Sequence, residues 1–219
     1  MRKIGFIHSF QLTLPLVDKL MKEYVSDATA IHIMDECIKK SNGECQIGVT
    51  PIVNIERMFH HAKQLKDEGC DLIFSACSLM DEAVMTVREK LGYEIYQLDD
   101  LCIKKAVNEN NKVLVLAANP RVKPHVINQI ERLNNNPNLN YDVLINEEAY
   151  RAMSNGDITL HDRLLIEDIN TNKDKYDAIL LGQINLALLE DKIDVPVYCS
   201  GKDTFKAIWE LINNGHNQE

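Results

Sequence analysis

The chain has 219 residues, with 33 Asp and Glu against 24 Lys and Arg, and its formal net charge is -9 at pH 7. This balance argues against nucleic acid or an anionic membrane as the main partner, because a phosphate-binding surface needs a concentrated excess of basic side chains. No apolar stretch approaches the roughly 20 residues of a membrane span, and the run after Met1 is too short for a signal sequence, so we expect a cytoplasmic protein.

Short apolar segments alternate with helical patterns along the whole chain. In the first half, strands are predicted at 3–7, 29–34, 72–74 and 94–98. The helices of that half are predicted at 12–24, 51–68, 79–91 and 101–109. In the second half the predicted strands are 112–117, 141–145, 178–181 and 195–199, and the predicted helices are 121–133, 147–153, 161–171, 185–190 and 203–212. The alternation predicts an α/β fold with parallel sheets flanked by helices.

An internal repeat relates the two halves of the chain. Segment 176–183 aligns without a gap with segment 70–77, and each has Asp in second place, an apolar strand, and then a small residue before a helix. The strands 3–7 and 112–116 match in the same way. We interpret the repeat as two similar α/β domains, each with a four-stranded parallel sheet.

The two predicted domains comprise residues 1–98 with 203–219, and residues 99–202. The C-terminal helix would thus close the first domain. The strand carboxyl ends of the two sheets are expected to face one another across a cleft, with Cys77 on one wall and Gln183 on the other. Apolar residues at helical spacing around Trp209 predict packing that includes a possible homodimer surface.

Cys77 is the leading candidate for chemistry. It follows the apolar segment 72–74 and precedes a helix predicted to start at Leu79, with Ser78 and Asp81 spaced as an N-terminal cap. A thiol at the carboxyl end of a parallel strand and beside a helix N-terminus lies where open α/β sheets bind ligands and where thiol pKa values tend to fall.

The other five cysteines have no such context. The chain has no CxxC pair and no zinc-type spacing of Cys and His, so we expect neither disulfides nor a metal site. These residues are expected to be small buried side chains or idle thiols, namely Cys37, Cys45, Cys70, Cys102 and Cys199.

Four motifs together resemble those of the aspartate/glutamate racemase superfamily, which includes amino-acid racemases, hydantoin racemases, maleate isomerases and arylmalonate decarboxylases. The motifs are Ser75-Ala76-Cys77-Ser78, Ile33-Met34-Asp35-Glu36, Leu98-Asp99-Asp100 and the segment 177–183. The resemblance covers most of the chain. It implies two pseudo-symmetric flavodoxin-like domains, an active site in the cleft between them, and no cofactor.

The racemases of that superfamily use two cysteines, one on each side of the substrate α-carbon. One thiolate removes the α-proton while the opposing thiol delivers a proton to the other face. Where the second motif usually has Gly-Cys-Thr-His, this chain has Gly182-Gln183-Ile184-Asn185. An amide does not titrate usefully at neutral pH, so the chain resembles a divergent member that lacks the second catalytic cysteine.

The resemblance implies catalytic positions at Cys77 and Gln183, and a substrate that is a small carboxylate or resembles an amino acid. The substrate-binding positions are expected at His8, Ser9, Ser78, Leu79, Asn119 and Asn185. With Cys77 as the single base, acid or nucleophile and Gln183 holding the substrate by hydrogen bonds, three reactions stay open: isomerisation, decarboxylation and a one-face proton transfer. A variant keeps racemisation, with His8 as the second titratable group. The alternatives are a non-catalytic protein that binds or senses a small anion on the same fold, and a purely structural or interaction role.

Overall fold

Parallel strands and helices alternate along residues 2–214, the part of the chain that the computed structural model describes. The strands are β1 (Arg2–His8), β2 (Ala28–Met34), β3 (Leu72–Ala76), β4 (Ile95–Gln97), β5 (Lys112–Ala117), β6 (Asn140–Ile145) and β7 (Ala178–Leu181). The helices are α1 (Thr13–Tyr24), α2 (Glu36–Glu44), α3 (Ile52–Asp67), α4 (Asp81–Leu91), α5 (Asp100–Glu109), α6 (Val122–Leu133), α7 (Glu147–Ser154), α8 (Ile158–Asn172), the 3₁₀ helix Ile184–Lys192, and α9 (Lys202–Asn214).

The first sheet has four parallel strands in the order β2-β1-β3-β4. Its inner strands are nearly continuous apolar runs because helices cover both faces. On one face, Phe6 stacks on Phe74 and on Phe205 of α9. On the other, a Cβ built at Gly5 would lie 2.8 Å from Leu65 Cδ1, so α3 packs directly against the backbone of β1. The predicted α/β fold with two parallel sheets is confirmed.

The second sheet has three strands in the order β6-β5-β7 within the described residues, so the prediction of four strands in this domain is wrong. In segment 195–199 a single residue, Tyr198, makes a parallel bridge to β7. Its N–H donates to the Ile179 carbonyl at 2.9 Å, and its carbonyl accepts from the Leu181 N–H at 2.8 Å. Two residues earlier, where the next ladder N–H would stand, the chain has Pro196, which has none.

The described residues divide into two compact units, one made of 2–98 and 202–214, the other of 99–201. The division from the sequence set its boundaries after Leu98 and after Lys202. Residues 1 and 215–219, which it assigned to the first domain, lie outside the described part of the chain. That these two units act as functional domains, and that a ligand-binding cleft lies between them, stay predictions. Within residues 2–214, no helix has both the length and the apolar composition for crossing a bilayer.

Candidate active site

Cys77 stands at the carboxyl edge of the first sheet, immediately after β3. The last residue of β3, Ala76, is in register with His8 at the end of β1, so the chain leaves the sheet at the same level from both strands. The Cys77 side chain is partly exposed and packs in part against the apolar cluster that contains Met80 and Val84. The thiol therefore combines an apolar backing with solvent access.

The main chain at Cys77 is held by two hydrogen bonds to its carbonyl oxygen. Met80 N–H donates to this oxygen at 3.1 Å, and Gln97 Nε2 donates to it at 2.6 Å from the end of β4. Gln97 is fully buried. Its Oε1 is among the buried side-chain atoms that have no hydrogen-bond partner in the described structure. Gln97 thus ties β4 to the residue that carries the candidate thiol, a contact that the sequence did not reveal.

The helix after Cys77 begins later than predicted. Helix α4 starts at Asp81, and Met80 is its N-cap residue without a side-chain cap. Ser78 is therefore not the cap. Asp81 and Glu82 lie in the first turn of α4, where carboxylates stabilise a helix through its dipole. Ser78 and Leu79 lie beside Cys77 in the connecting turn, and Ser78 is buried whereas Leu79 is half-buried.

His8 is enclosed in the protein, with both ring nitrogens hydrogen-bonded. Thr13 Oγ1 donates to the Phe10 carbonyl at 2.7 Å, so it accepts from His8 Nδ1–H at 2.9 Å. His8 Nε2 then accepts from His32 Nδ1–H, also at 2.9 Å. Burial, and next the charge of His32, lower the pKa of His8 to about 3. His8 is neutral at pH 7.

The substrate contacts predicted for His8 and Ser9 stay predictions. The His8 ring is fully buried and Ser9 is 4% exposed, so a ligand that touched either side chain would need a local opening of the chain.

In the second unit, Gln183 meets the loop that follows β5. Its Oε1 accepts two backbone N–H groups, from Ala118 at 2.7 Å and from Asn119 at 2.8 Å. Its Nε2 donates to Asn185 Oδ1 at 3.4 Å. Three of the predicted site residues are thus brought together at the carboxyl edge of the second sheet, where open parallel sheets bind ligands.

The absence of a side chain at Gly182 allows the chain just before Gln183 to lie close to β5. A Cβ built at Gly182 would lie 2.9 Å from Val115 Cγ1, a contact that real Cβ atoms do not make. The Gly182 N–H donates to the Leu116 carbonyl at 2.8 Å. A side chain at this position would force Val115 or the backbone to shift, so glycine favours this close approach of the chain after β7 to β5.

A family model with the description Asp/Glu/Hydantoin racemase matches residues 15–207 of the chain. The chain belongs to this racemase family. The superfamily predicted from the four motifs is confirmed. No match was found among curated proteins.

Solved structures of racemases share the fold of this family member. Glutamate racemase RacE1 from Bacillus anthracis is 16% identical with a TM-score of 0.72, and the match covers 98% of this chain and 83% of that one. Glutamate racemase from Francisella tularensis, in complex with D-glutamate, is 19% identical with a TM-score of 0.70, over 98% and 82% of the two chains. Aspartate racemase from Picrophilus torridus is 18% identical with a TM-score of 0.68, over 97% and 95%. At these identities the likeness shows the fold.

One polar cluster in this racemase-family chain was not predicted as part of the site. Asp35 follows β2, caps α2 by accepting from the Cys37 N–H, and accepts from His61 Nε2 at 2.7 Å. Arg57 Nε lies 3.7 Å from the same carboxylate. Burial works to raise the pKa of Asp35, but the hydrogen bonds from His61 and Cys37 outweigh it and lower the pKa. In the sequence, only the position of Asp35 in the motif after β2 pointed to this cluster.

The titratable groups of the described residues do not form a metal site. Within residues 2–214, no three Cys, His, Asp or Glu side chains are grouped so that they could hold a metal ion.

Proposed function

We propose that this racemase-family protein is a cofactor-independent enzyme that transfers a proton at the α-carbon of a small carboxylate or amino-acid-like substrate, with Cys77 as the acid–base group. The observation that carries the proposal is the position of Cys77, partly exposed at the carboxyl edge of β3 with its carbonyl held by Met80 and Gln97. Family membership supports the reaction class.

Removal of the α-proton requires two features of such a site. An α-proton beside a carboxylate is weakly acidic, so a thiolate must lie within hydrogen-bond reach of it. The negative charge that develops on the carboxylate as the proton leaves needs preorganised donors. We propose that backbone N–H groups and the Ser78 hydroxyl, in the turn that follows Cys77, supply such donors.

We propose that a single thiol carries the proton. The Cys77 thiolate takes the α-proton and becomes a thiol, and the C–H electron pair passes into an enolate. The thiol then returns a proton: return to the same face of the α-carbon gives exchange with solvent and retention, whereas return to a conjugated carbon gives isomerisation. In decarboxylation the C–C electron pair forms the enolate as CO2 leaves, and a Cys77 thiol supplies the proton. Gln183 cannot take part as an acid or a base, because its amide does not titrate near pH 7.

Racemisation with His8 as a second base has less support than the one-thiol reaction. The pKa of His8 is lowered to about 3, and both ring nitrogens already have partners inside the first unit. The second candidate function, non-catalytic binding or sensing of a small anion, is favoured by one observation: an amide stands where the family's second cysteine is expected.

A screen in heavy water separates these functions. Small carboxylates and hydantoins that raise the melting temperature are incubated with the protein in heavy water, and NMR follows deuterium at the α-carbon and loss of CO2. We expect deuterium incorporation or decarboxylation for at least one ligand, abolished by Cys77→Ala, and no racemase-like exchange for aspartate or glutamate. If ligands bind and neither deuterium incorporation nor decarboxylation is detected, the proposed enzymatic function is contradicted and non-catalytic anion binding is supported.

A further inference from the structure

The side-chain amide of Gln183 has a defined orientation. Its oxygen and nitrogen atoms look alike by shape, and their assignment rests on hydrogen bonds. Here two backbone N–H groups, those of Ala118 and Asn119, point at one end of the amide at 2.7 and 2.8 Å. A backbone N–H can only donate, so this end is the oxygen Oε1. The NH2 group consequently points away from the loop after β5.

The NH2 group of Gln183 forms only a long hydrogen bond within the described part of the protein. In the described part of the chain its hydrogen-bond partner is Asn185 Oδ1 at 3.4 Å, near the outer limit for such a bond. The side chain is half-buried and lies at the carboxyl edge of the second sheet. The amide therefore has donor capacity left over at the place where a ligand of this fold is expected.

We propose that Gln183 is a specificity-determining residue whose Oε1 is fixed by the loop after β5 and whose Nε2 donates to an acceptor oxygen of the bound ligand. The inference rests on the proposed function for the location of the ligand. It assigns to this position a carboxylate or carbonyl oxygen and excludes an ammonium group, which would face N–H donors. The proposal also gives the amide a role that needs no titration, namely to donate a hydrogen bond to the ligand.

The fixed oxygen makes the donor effective. The two hydrogen bonds to Oε1 order the Gln183 side chain before a ligand arrives. A donor that is already oriented loses little conformational entropy on binding. Hydrogen bonds to a charged acceptor are worth more than neutral ones, which corresponds to about tenfold or more in the dissociation constant.

Two substitutions separate the donor from the fixed oxygen. Gln183→Glu keeps an oxygen toward the two N–H groups and replaces the NH2 group by an acceptor. Gln183→Met keeps the length and removes both polar atoms. Gln46→Glu, at an exposed position, is the matched control for the added negative charge. The probes are acetate, malonate and succinate, titrated by calorimetry, with the melting temperature of every variant measured alongside.

We expect at least one probe to bind the wild-type protein and to bind Gln183→Glu about tenfold or more weakly. Gln183→Glu should melt no lower than the wild-type protein, and Gln46→Glu should bind like it. Unchanged affinity in Gln183→Glu, or no binding of any probe to the wild-type protein, would overturn the inference. A wild-type protein that binds through Gln183 but shows no Cys77-dependent chemistry on any screened compound would contradict the proposed function alone.

Discussion

Cys77 and Gln183 occupy matching places in the two halves of the sequence, and their contacts make them chemically different. The Cys77 thiol is partly exposed, and the hydrogen bonds from Gln97 and Met80 hold the Cys77 backbone carbonyl. The side-chain oxygen Oε1 of Gln183 accepts from the backbone N–H groups of Ala118 and Asn119. A thiol can exchange a proton and an amide cannot. The first half of the repeat thus has a side chain that can exchange a proton, and the second half has one that can only form hydrogen bonds.

The contact between Gln97 and Cys77 predicts a pH-dependent effect of Gln97→Glu. A buried carboxyl group can donate to the Cys77 carbonyl only while it is protonated, so folding raises its pKa above the unfolded value. The variant should therefore lose stability, relative to the wild-type protein, as the pH rises from 5 to 7, by about 1.4 kcal/mol per unit until the folded pKa is passed. Urea unfolding at both pH values measures this difference.

Gln97→Met is the companion variant. It removes the 2.6 Å bond together with the unpartnered Oε1, so its cost should be about 1 kcal/mol and independent of pH. If the loss of unfolding free energy in Gln97→Glu, relative to the wild-type protein, were the same at pH 5 and pH 7, as it should be in Gln97→Met, the described hydrogen bond from Gln97 to the Cys77 carbonyl would be contradicted.

At the scale of the elements, the hydrogen bond between the buried His8 on β1 and the partly buried His32 on β2 should make the first unit sensitive to acid. The pKa of His8 is lowered from 6.5 to about 3, so the folded state binds fewer protons than the unfolded state between these values. Stability is therefore full above about pH 6.5 and falls as the pH drops toward 3, by a few kcal/mol from this residue. The neighbouring groups are His32 on β2, and Asp18 and Lys22 on α1.

Replacement of His8 by Phe should flatten this dependence. The variant is less stable at pH 7, because Thr13 and His32 lose a partner, but its free energy of unfolding should fall less steeply between pH 6.5 and pH 4. His60→Phe, at an exposed position, should keep the wild-type slope. Equal slopes for His8→Phe and the wild-type protein would show that His8 is not the group whose protonation destabilises the fold.

The end of β7 gives a second prediction for an element. Gly182→Ala places a Cβ 2.9 Å from Val115 Cγ1, so it should cost about 1–3 kcal/mol through overpacking. Gly43→Ala, in α2, meets nothing within 4 Å and should be neutral or stabilising by up to about 1 kcal/mol. Thermal unfolding of both variants measures the contrast. A Gly182→Ala protein as stable as Gly43→Ala would mean that β7 does not approach β5 so closely.

At the scale of the whole molecule, the sequence predicts best what local patterns determine. The run 72–74 places a strand before Cys77, and the spacing after it places a helix, although the helix starts at Asp81. The order of four motifs is enough to predict the superfamily. The strand predicted at 195–199 is reduced to a single bridge at Tyr198, because Pro196 has no N–H to continue the ladder.

Contacts between distant side chains could not be predicted in this way. His8 and His32 are 24 residues apart, and Gln183 is 65 residues from Ala118. Their meeting depends on strand register and on how helices cover each sheet, which local periodicity does not encode. The residues of the candidate site were therefore predictable by position, whereas the roles that follow from their hydrogen bonds were not.

The central claim, that Cys77 is an activated thiol at a carboxylate site, is tested most directly by its rate of alkylation. Iodoacetamide modification is followed by peptide mass spectrometry near neutral pH, with and without a small dicarboxylate such as succinate. Cys37 is the internal control because it is exposed, whereas Cys77 is only partly exposed. Burial raises the pKa of Cys102 to about 12, so that thiol should react slowest. We predict that Cys77 reacts faster than Cys37 and is protected by the dicarboxylate; a Cys77 that reacts no faster than Cys37, with or without the dicarboxylate, would contradict the account.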